Sequence, residues 1–199
     1  MNQQLIECVP NFSEGRDLSI IKQITNEIES VDGVKLLDVD PGAATNRTVV
    51  TFVGTPQAVI DAAFKAIVKA GELIDMSKQT GEHARMGATD VCPLIPVANI
   101  SMEETSEWAI KLAKRVGENT HIPTYLYGAS QPNTKRNVLA IIRGGEYEGF
   151  FTKIKQPEWK PDFGPAEYSA RSGATVIGAR DFLIAYNINL NTKSTRIAN

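Results

Sequence analysis

The sequence predicts an α/β (α+β) fold: a ferredoxin-like β-α-β-β-α-β unit with additional strands and helices, its mixed sheet covered by helices. Three observations carry this reading. Short runs rich in β-branched residues alternate with stretches whose apolar residues recur at helical spacing. Their order through the first half is β-α-β-β-α-β, in which the helices cover one face of a sheet. The chain has 199 residues, 42% hydrophobic and 22% charged, which suits a soluble domain with a sizeable core.

Leu5–Val9 is a short apolar run stopped by Pro10, hence a strand. Leu18–Ser30 places Ile20, Ile21, Ile24 and Ile28 on one helical face. Gly33 breaks the chain, and Val34–Val39 follows as a strand. Asp40–Asn46 (DPGAATN) reads as a turn-rich loop. Thr48–Val53 is a strand closed by Gly54. Thr55-Pro56 starts a helix with a hydroxyl at the N-cap and proline at the first position. That helix runs to about Ile74 with Ile60, Phe64, Ile67 and Val68 inward. Val91–Val97 is the next strand, and its prolines point to an edge or an irregular strand. Ser101–Glu104 is a capping box opening a helix that buries Trp108, Ala109, Leu112 and Val116. Thr124–Tyr127 is a strand, and Asn137–Phe151 is helical in part, weakened by Gly144-Gly145. Trp159–Ser172 is a loop, and Ala174–Ile177 and Phe182–Asn189 are closing strands. Asn191–Asn199 reads as a helix start cut off after one turn, so a further domain is expected beyond it.

Composition narrows the function. A net charge of −2 leaves no basic excess for nucleic acid or for an anionic membrane. No apolar run approaches the ~20 residues that span a bilayer. The start, MNQQLIECVPNF, lacks the basic residues and long apolar stretch of a signal peptide. Cys8 and Cys92 make no disulfide framework, and each lies in an apolar segment, as buried thiols in a reducing cytoplasm do. The expected compartment is cytoplasmic.

His83, one of two histidines, stands in a polar, glycine-flanked loop, Glu82–Val97, that leads into an apolar run. Imidazole is the side chain suited to proton exchange near neutral pH, and loops on a rigid scaffold concentrate catalytic groups. The competing reading is a loop histidine of no special role. A neighbouring acid would set its tautomer, with Asp90, Asp38, Asp40 and Glu82 as candidates. No metal is expected, because HExxH and CxxC are absent and His83 with Cys92 are too few ligands. Arg47 and Arg85 are either bidentate clamps for a substrate carboxylate or ordinary ion-paired arginines. Phe163–Gly173 (FGPAEYSARSG) is long and glycine-rich for a plain turn, and is either a functional loop or a linker. GxxxxGK[ST] and GxGxxG are both absent, so no phosphate-loop or dinucleotide site is supported.

Several blocks resemble one family in order along nearly the whole chain: Glu7–Arg16 (ECVPNFSEGR), Leu37–Gly54 (LDVDPGAATNRTVVTFVG), Gly81–Val97 (GEHARMGATDVCPLIPV), Tyr125–Gly128 (YLYG), Gly145–Tyr147 (GEY), Pro161–Pro165 (PDFGP), Gly173–Arg180 (GATVIGAR) and Phe182–Leu190 (FLIAYNINL). These resemble the N-terminal half of glutamate formiminotransferase, of the formiminotransferase-cyclodeaminase family. The resemblance implies transfer of the formimino group from N-formimino-L-glutamate to N5 of tetrahydrofolate, a late step of histidine degradation. It implies that His83 is catalytic and that Asp40 is an acid lining the site. It also implies that Gly164, Pro165, Ala166, Glu167, Tyr168, Ser169, Ala170, Arg171, Ser172 and Gly173 form the folate-binding segment. Tetrahydrofolate is the implied co-substrate, and a homodimer the implied assembly.

Two departures stand out. The family block reads His-Pro-Arg, and Ala84 here replaces that proline, freeing φ and restoring an N–H. The family's transferase also carries a second α/β subdomain, with folate between the halves. Residues 1–180 are therefore expected to be the N-terminal subdomain. Residues 181–199 are expected to be a connector or the start of a C-terminal subdomain absent from this chain, and without that subdomain an inactive half-site is one expectation. Two other readings stay open: a non-catalytic folate-binding module, and a related formyltransferase or cyclo-ligase using 5-formyltetrahydrofolate.

Overall fold

The computed structural model describes residues 3–184 and 191. The elements run β1 (Leu5–Cys8), β2 (Asn11–Phe12), α1 (Leu18–Glu29), β3 (Val34–Gly42), β4 (Arg47–Gly54), α2 (Pro56–Leu73), β5 (Thr89–Ala98), α3 (Met102–Thr120), β6 (Thr124–Gly128), α4 (Leu139–Ile142), α5 (Glu146–Lys153) and β7 (Thr175–Ala179). Pro10 splits the first strand into β1 and β2, and both pieces lie antiparallel between β4 and β5. With β3 antiparallel to β4, the first half gives the order β3-β4-β1/β2-β5, the ferredoxin-like unit that the element order predicts. β7 then pairs parallel with β5, and β6 parallel with β7, making a mixed seven-stranded sheet.

The two-residue period of the strands divides the sheet's faces. Ile6, Cys8, Val50, Phe52, Cys92, Leu94 and Ile177 point to the face covered by α1, α2 and α3 and form the main core with them. α1 starts where the Asp17 carboxylate accepts the backbone N–H groups of Ser19 and Ile20, and it buries Ile21, Ile24 and Ile28. α3 carries the predicted capping box: the Ser101 hydroxyl accepts Glu104 N–H at 3.1 Å, and the Glu104 carboxylate accepts Ser101 N–H at 2.8 Å. On the other face, α4 and α5 cover β6 and β7 through Tyr125, Tyr127, Ile142, Phe150 and Val176.

Several expectations change in detail. β5 is central, not an edge, despite Pro93 and Pro96. Its neighbour is broken at the matching place: the registers Cys8↔Leu94 and Asn11↔Val91 set Pro93 opposite the Val9-Pro10 break. A missing N–H there costs the ladder little, and Val9 N–H still donates to the Pro93 carbonyl at 3.2 Å. Asp40–Asn46 is not all loop, because β3 continues through Asp40 and Pro41 to Gly42, leaving Ala43–Asn46 as the turn. Thr55 occupies the N-cap of α2 but its side chain makes no capping bond. Four alanines, Ala62, Ala63, Ala66 and Ala70, bring α2 close to the core, while Phe64 and Val68 are only partly buried. Trp108 is likewise only partly buried, with the Lys111 ammonium 4.1 Å from its ring centre. Gly144-Gly145 divides the predicted helical stretch into α4 and α5, with Gly145 at φ +89°. Phe182–Ile184 has no regular structure, and the rest of the predicted strand, like residues 192–199, lies outside the described residues.

Candidate active site

The loop between α2 and β5 is fastened to the β3–β4 turn. Glu82 N–H donates to the Ala44 carbonyl (3.3 Å), the Asn46 amide to the Thr80 carbonyl (3.0 Å) and the Gln79 amide to the Asn46 carbonyl (2.9 Å). Gly81 passes so near Thr45 that a Cβ would meet its carbonyl oxygen at 2.2 Å, so only glycine fits. His83 is left exposed on the wall of a cavity of about 510 Å³. Its Nδ1 lies 2.7 Å from the Ala84 carbonyl oxygen. A carbonyl only accepts, so Nδ1 carries a proton and Nε2 of the neutral ring keeps its lone pair.

The cavity occupies the part of the sheet face that α4 and α5 leave uncovered. Val9, Asn11, Arg47, Val49, Val91 and Pro93 come from the strand region, Tyr127 from β6, Leu139 and Arg143 from the α4 region, and Arg180 and Leu183 from the segment after β7. Beneath it lies Asp90, fully buried. Between Asn11↔Val91 and Phe12↔Thr89 the register advances one residue on β2 and two on β5. Asp90 is therefore the extra residue of a β-bulge, a device that re-aims a side chain. One carboxylate oxygen accepts Met86 N–H at 2.9 Å, and the other accepts both Arg47 and Arg143. Arg47 also donates from Nε to the Asn11 amide oxygen at 3.1 Å.

Burial lowers the pKa of the Arg47 guanidinium, Asp90 opposes that, and the neighbouring Arg143 charge adds to it. Burial likewise pushes the Tyr127 phenol up, against the pull of Arg180, so the hydroxyl stays protonated and available as a donor. Two guanidiniums share one carboxylate at the floor, and Arg180 adds a third cation from the rim. The cavity suits an anion.

The predicted residues fall in different places. His83 and Arg47 share the cavity, with Asp90 behind Arg47. Among the described residues the His83 ring makes no ion pair, and its polar partner is a backbone carbonyl rather than Asp90 or Asp40. Asp40 is exposed on β3, opposite Val49 of the cavity wall. Arg85 is buried elsewhere: it donates to the Gln79 side chain and carbonyl, and pairs with Glu146 and Glu148, whose carboxylates raise its pKa. The Gly164–Gly173 segment packs outside the cavity wall. Tyr168 packs against the rings of Tyr147, Phe150 and Phe151, the last edge-on, the Tyr147 hydroxyl donates to the Ala170 carbonyl, and Met76 N–H donates to the Arg171 carbonyl. Arg143, Arg180 and Tyr127 are cavity residues that reasoning from sequence missed. They come from segments far apart in the chain, and no local pattern connects them.

Among the described residues no group of three or more His, Cys, Asp or Glu side chains stands where a metal could be held. No described helix is long and apolar enough to cross a membrane.

The family described as "Formiminotransferase domain, N-terminal subdomain" matches residues 5–180. The formimidoyltransferase-cyclodeaminase of Gallus gallus is 54% identical over 187 residues, which cover 94% of this chain and 35% of that protein. The glutamate formimidoyltransferase of Thermoplasma acidophilum is 49% identical over 195 residues, covering 97% of this chain and 64% of that protein. That of Streptococcus pyogenes serotype M1 is 41% identical, covering 98% and 65%. The chain thus spans about a third of the length of the first of these relatives and just under two thirds of the other two. A match over this much of the chain is a family relationship: the chain belongs to the formiminotransferase family, in its N-terminal subdomain.

Proposed function

We propose that the chain supplies the histidine-bearing half of a glutamate formiminotransferase. In that reaction the formimino group leaves N-formimino-L-glutamate for N5 of tetrahydrofolate, giving 5-formiminotetrahydrofolate and glutamate. The observation that carries the reading is the His83 ring on the wall of an arginine-lined cavity, with Nδ1 tied to the Ala84 carbonyl and the Nε2 lone pair free. The printed names of the Thermoplasma and Streptococcus relatives support the same transfer.

The bond changes set what the protein must supply. N5 attacks the formimino carbon to form a tetrahedral intermediate. The attacking nitrogen then sheds its proton, and the glutamate nitrogen takes one as its bond to carbon breaks. His83 Nε2 accepts the first proton and returns it to the second nitrogen. General acid–base assistance of this kind is worth roughly 10²–10⁴-fold in rate. Ala84 in place of proline costs no reacting group, and its carbonyl orients the ring. The Gly164–Gly173 segment completes the proposal as the folate-facing stretch. Its backbone is pinned at Ala170 and Arg171, which supports a fixed edge rather than a loose linker.

The test is His83→Ala in the transferase assembled from this chain and a C-terminal subdomain. The side chain is exposed, so the substitution should leave the thermal midpoint unchanged while turnover falls at least ~10²-fold. Turnover within a few-fold of the parent would remove His83 from the chemistry. Binding of tetrahydrofolate with no turnover in the parent itself would favour a non-catalytic binding module.

A further inference from the structure

Arg143 and Arg180 line the same cavity as His83, and the acid–base step proposed for His83 uses neither. Arg143 reaches Asp90 with Nη2 alone. Its Nε is buried without an acceptor, and among the described residues its Nη1 has no partner either. Arg47, which also lines the cavity, uses Nε on Asn11 and Nη1 on Asp90, and among the described residues its Nη2 has no hydrogen-bond partner. Arg180 spends one nitrogen on the Asp181 carbonyl at 2.7 Å and lies beside the Tyr127 hydroxyl. Burial raises the Glu7 pKa, and the nearby Arg180 charge partly opposes that. Three guanidiniums thus face about 510 Å³ of space with one buried carboxylate, Asp90, shared between two of them. An unpartnered buried N–H costs free energy until an acceptor arrives. The planar guanidinium fork fits a carboxylate with two parallel hydrogen bonds.

We propose that Arg143 and Arg180 form a dicarboxylate-recognition site, each arginine taking one carboxylate of a glutamyl group. Arg47 backs the first of them from the other side of Asp90. The proposal rests on the formiminotransferase reading and deepens it. A glutamyl group anchored by both ends on this wall has its nitrogen directed at the open cavity that His83 lines, so binding becomes alignment. The same glutamyl chemistry occurs in the amino-acid substrate and in the tail of tetrahydrofolate.

The experiment measures binding by calorimetry on the intact chain, with L-glutamate, L-glutamine, tetrahydrofolate and a tetrahydropterin lacking the glutamyl tail as probes. Arg180→Gln touches no ion pair between buried groups and should fold normally. Arg143→Lys keeps the charge against Asp90 and loses the fork. If the amino-acid substrate occupies the site, glutamate binds about 10- to 100-fold tighter than glutamine, and either variant removes that preference. If the folate tail occupies it, the variants weaken tetrahydrofolate by a similar factor, spare the tail-less pterin and leave glutamate unaffected. Unchanged affinity for all four probes in folded Arg180→Gln overturns the site. Binding is read without turnover, so glutamate–glutamine discrimination by this chain, together with no formimino transfer once a C-terminal subdomain is supplied, would sink the transferase reading and leave the site standing.

Discussion

Asp90 carries more of the site than its distance from the chemistry suggests. It is fully buried, and one of its oxygens accepts from two arginines whose charges repel each other. Removing its charge leaves two guanidiniums side by side in a low-dielectric setting, and breaking a buried pair in this way costs about 3–5 kcal/mol. Asp90→Asn is therefore expected to lower the urea midpoint by an amount corresponding to that figure, at neutral pH and in the absence of ligand. A variant within about 0.5 kcal/mol of the parent, the usual range of a surface change, would show that the arginines are held by something else. Position along the chain made Asp90 legible as an acid near His83, but its partners come from β4 and the end of α4. The bulge that turns it toward them depends on how β2 pairs with β5, which no single segment encodes. Arg85 illustrates the opposite trap. Two residues from His83, it is drawn away by Gln79, Glu146 and Glu148, the last of these 63 residues distant.

At the scale of elements, the strands and helices were largely legible because each has a local physical signature. The isoleucine face of α1 and the Ser101–Glu104 box survive folding, with Ile20 only partly buried, and the Gly144-Gly145 pair read as weakening a helix divides it. What the pattern concealed was pairing, as in the proline-bearing β5, which is central because the strand beside it is broken at the same level. The approach to β7 follows the same logic. Gly173 sits at φ +65°, bridged to Gly87, and a Cβ would stand 2.1 Å from the Met86 carbonyl oxygen and 2.7 Å from the Gly87 Cα. Gly173→Ala adds left-handed backbone strain to a backbone clash, together about 2–4 kcal/mol. The measurement is chemical denaturation without folate, which separates this cost from any part Gly173 plays in binding. Parental stability would mean that the backbone there is looser than these contacts imply.

Across the whole molecule, the sheet divides labour between its faces. One is sealed by α1, α2 and α3; the other is closed by α4 and α5 over β6 and β7 and carries the cavity toward β2 and β4. Cys8 and Cys92 report on the sealed face. Both thiols are fully buried in the main core, 3.5 Å apart across neighbouring strands, with no disulfide between them. Burial pushes the Cys8 thiol up, so the reactive thiolate is suppressed as well as shielded. Neither can meet a reagent unless the helix layer lifts from β1 and β5, and those strands lie in the middle of the sheet where local opening is dearest. A thiol-reactive dye should therefore label neither cysteine in native buffer, and both should become reactive at the denaturant concentration where far-UV circular dichroism is lost. Labelling of either thiol well below that midpoint would mean that the sealed face opens apart from the rest, and that the sheet is not the single cooperative unit on which the cavity's geometry depends.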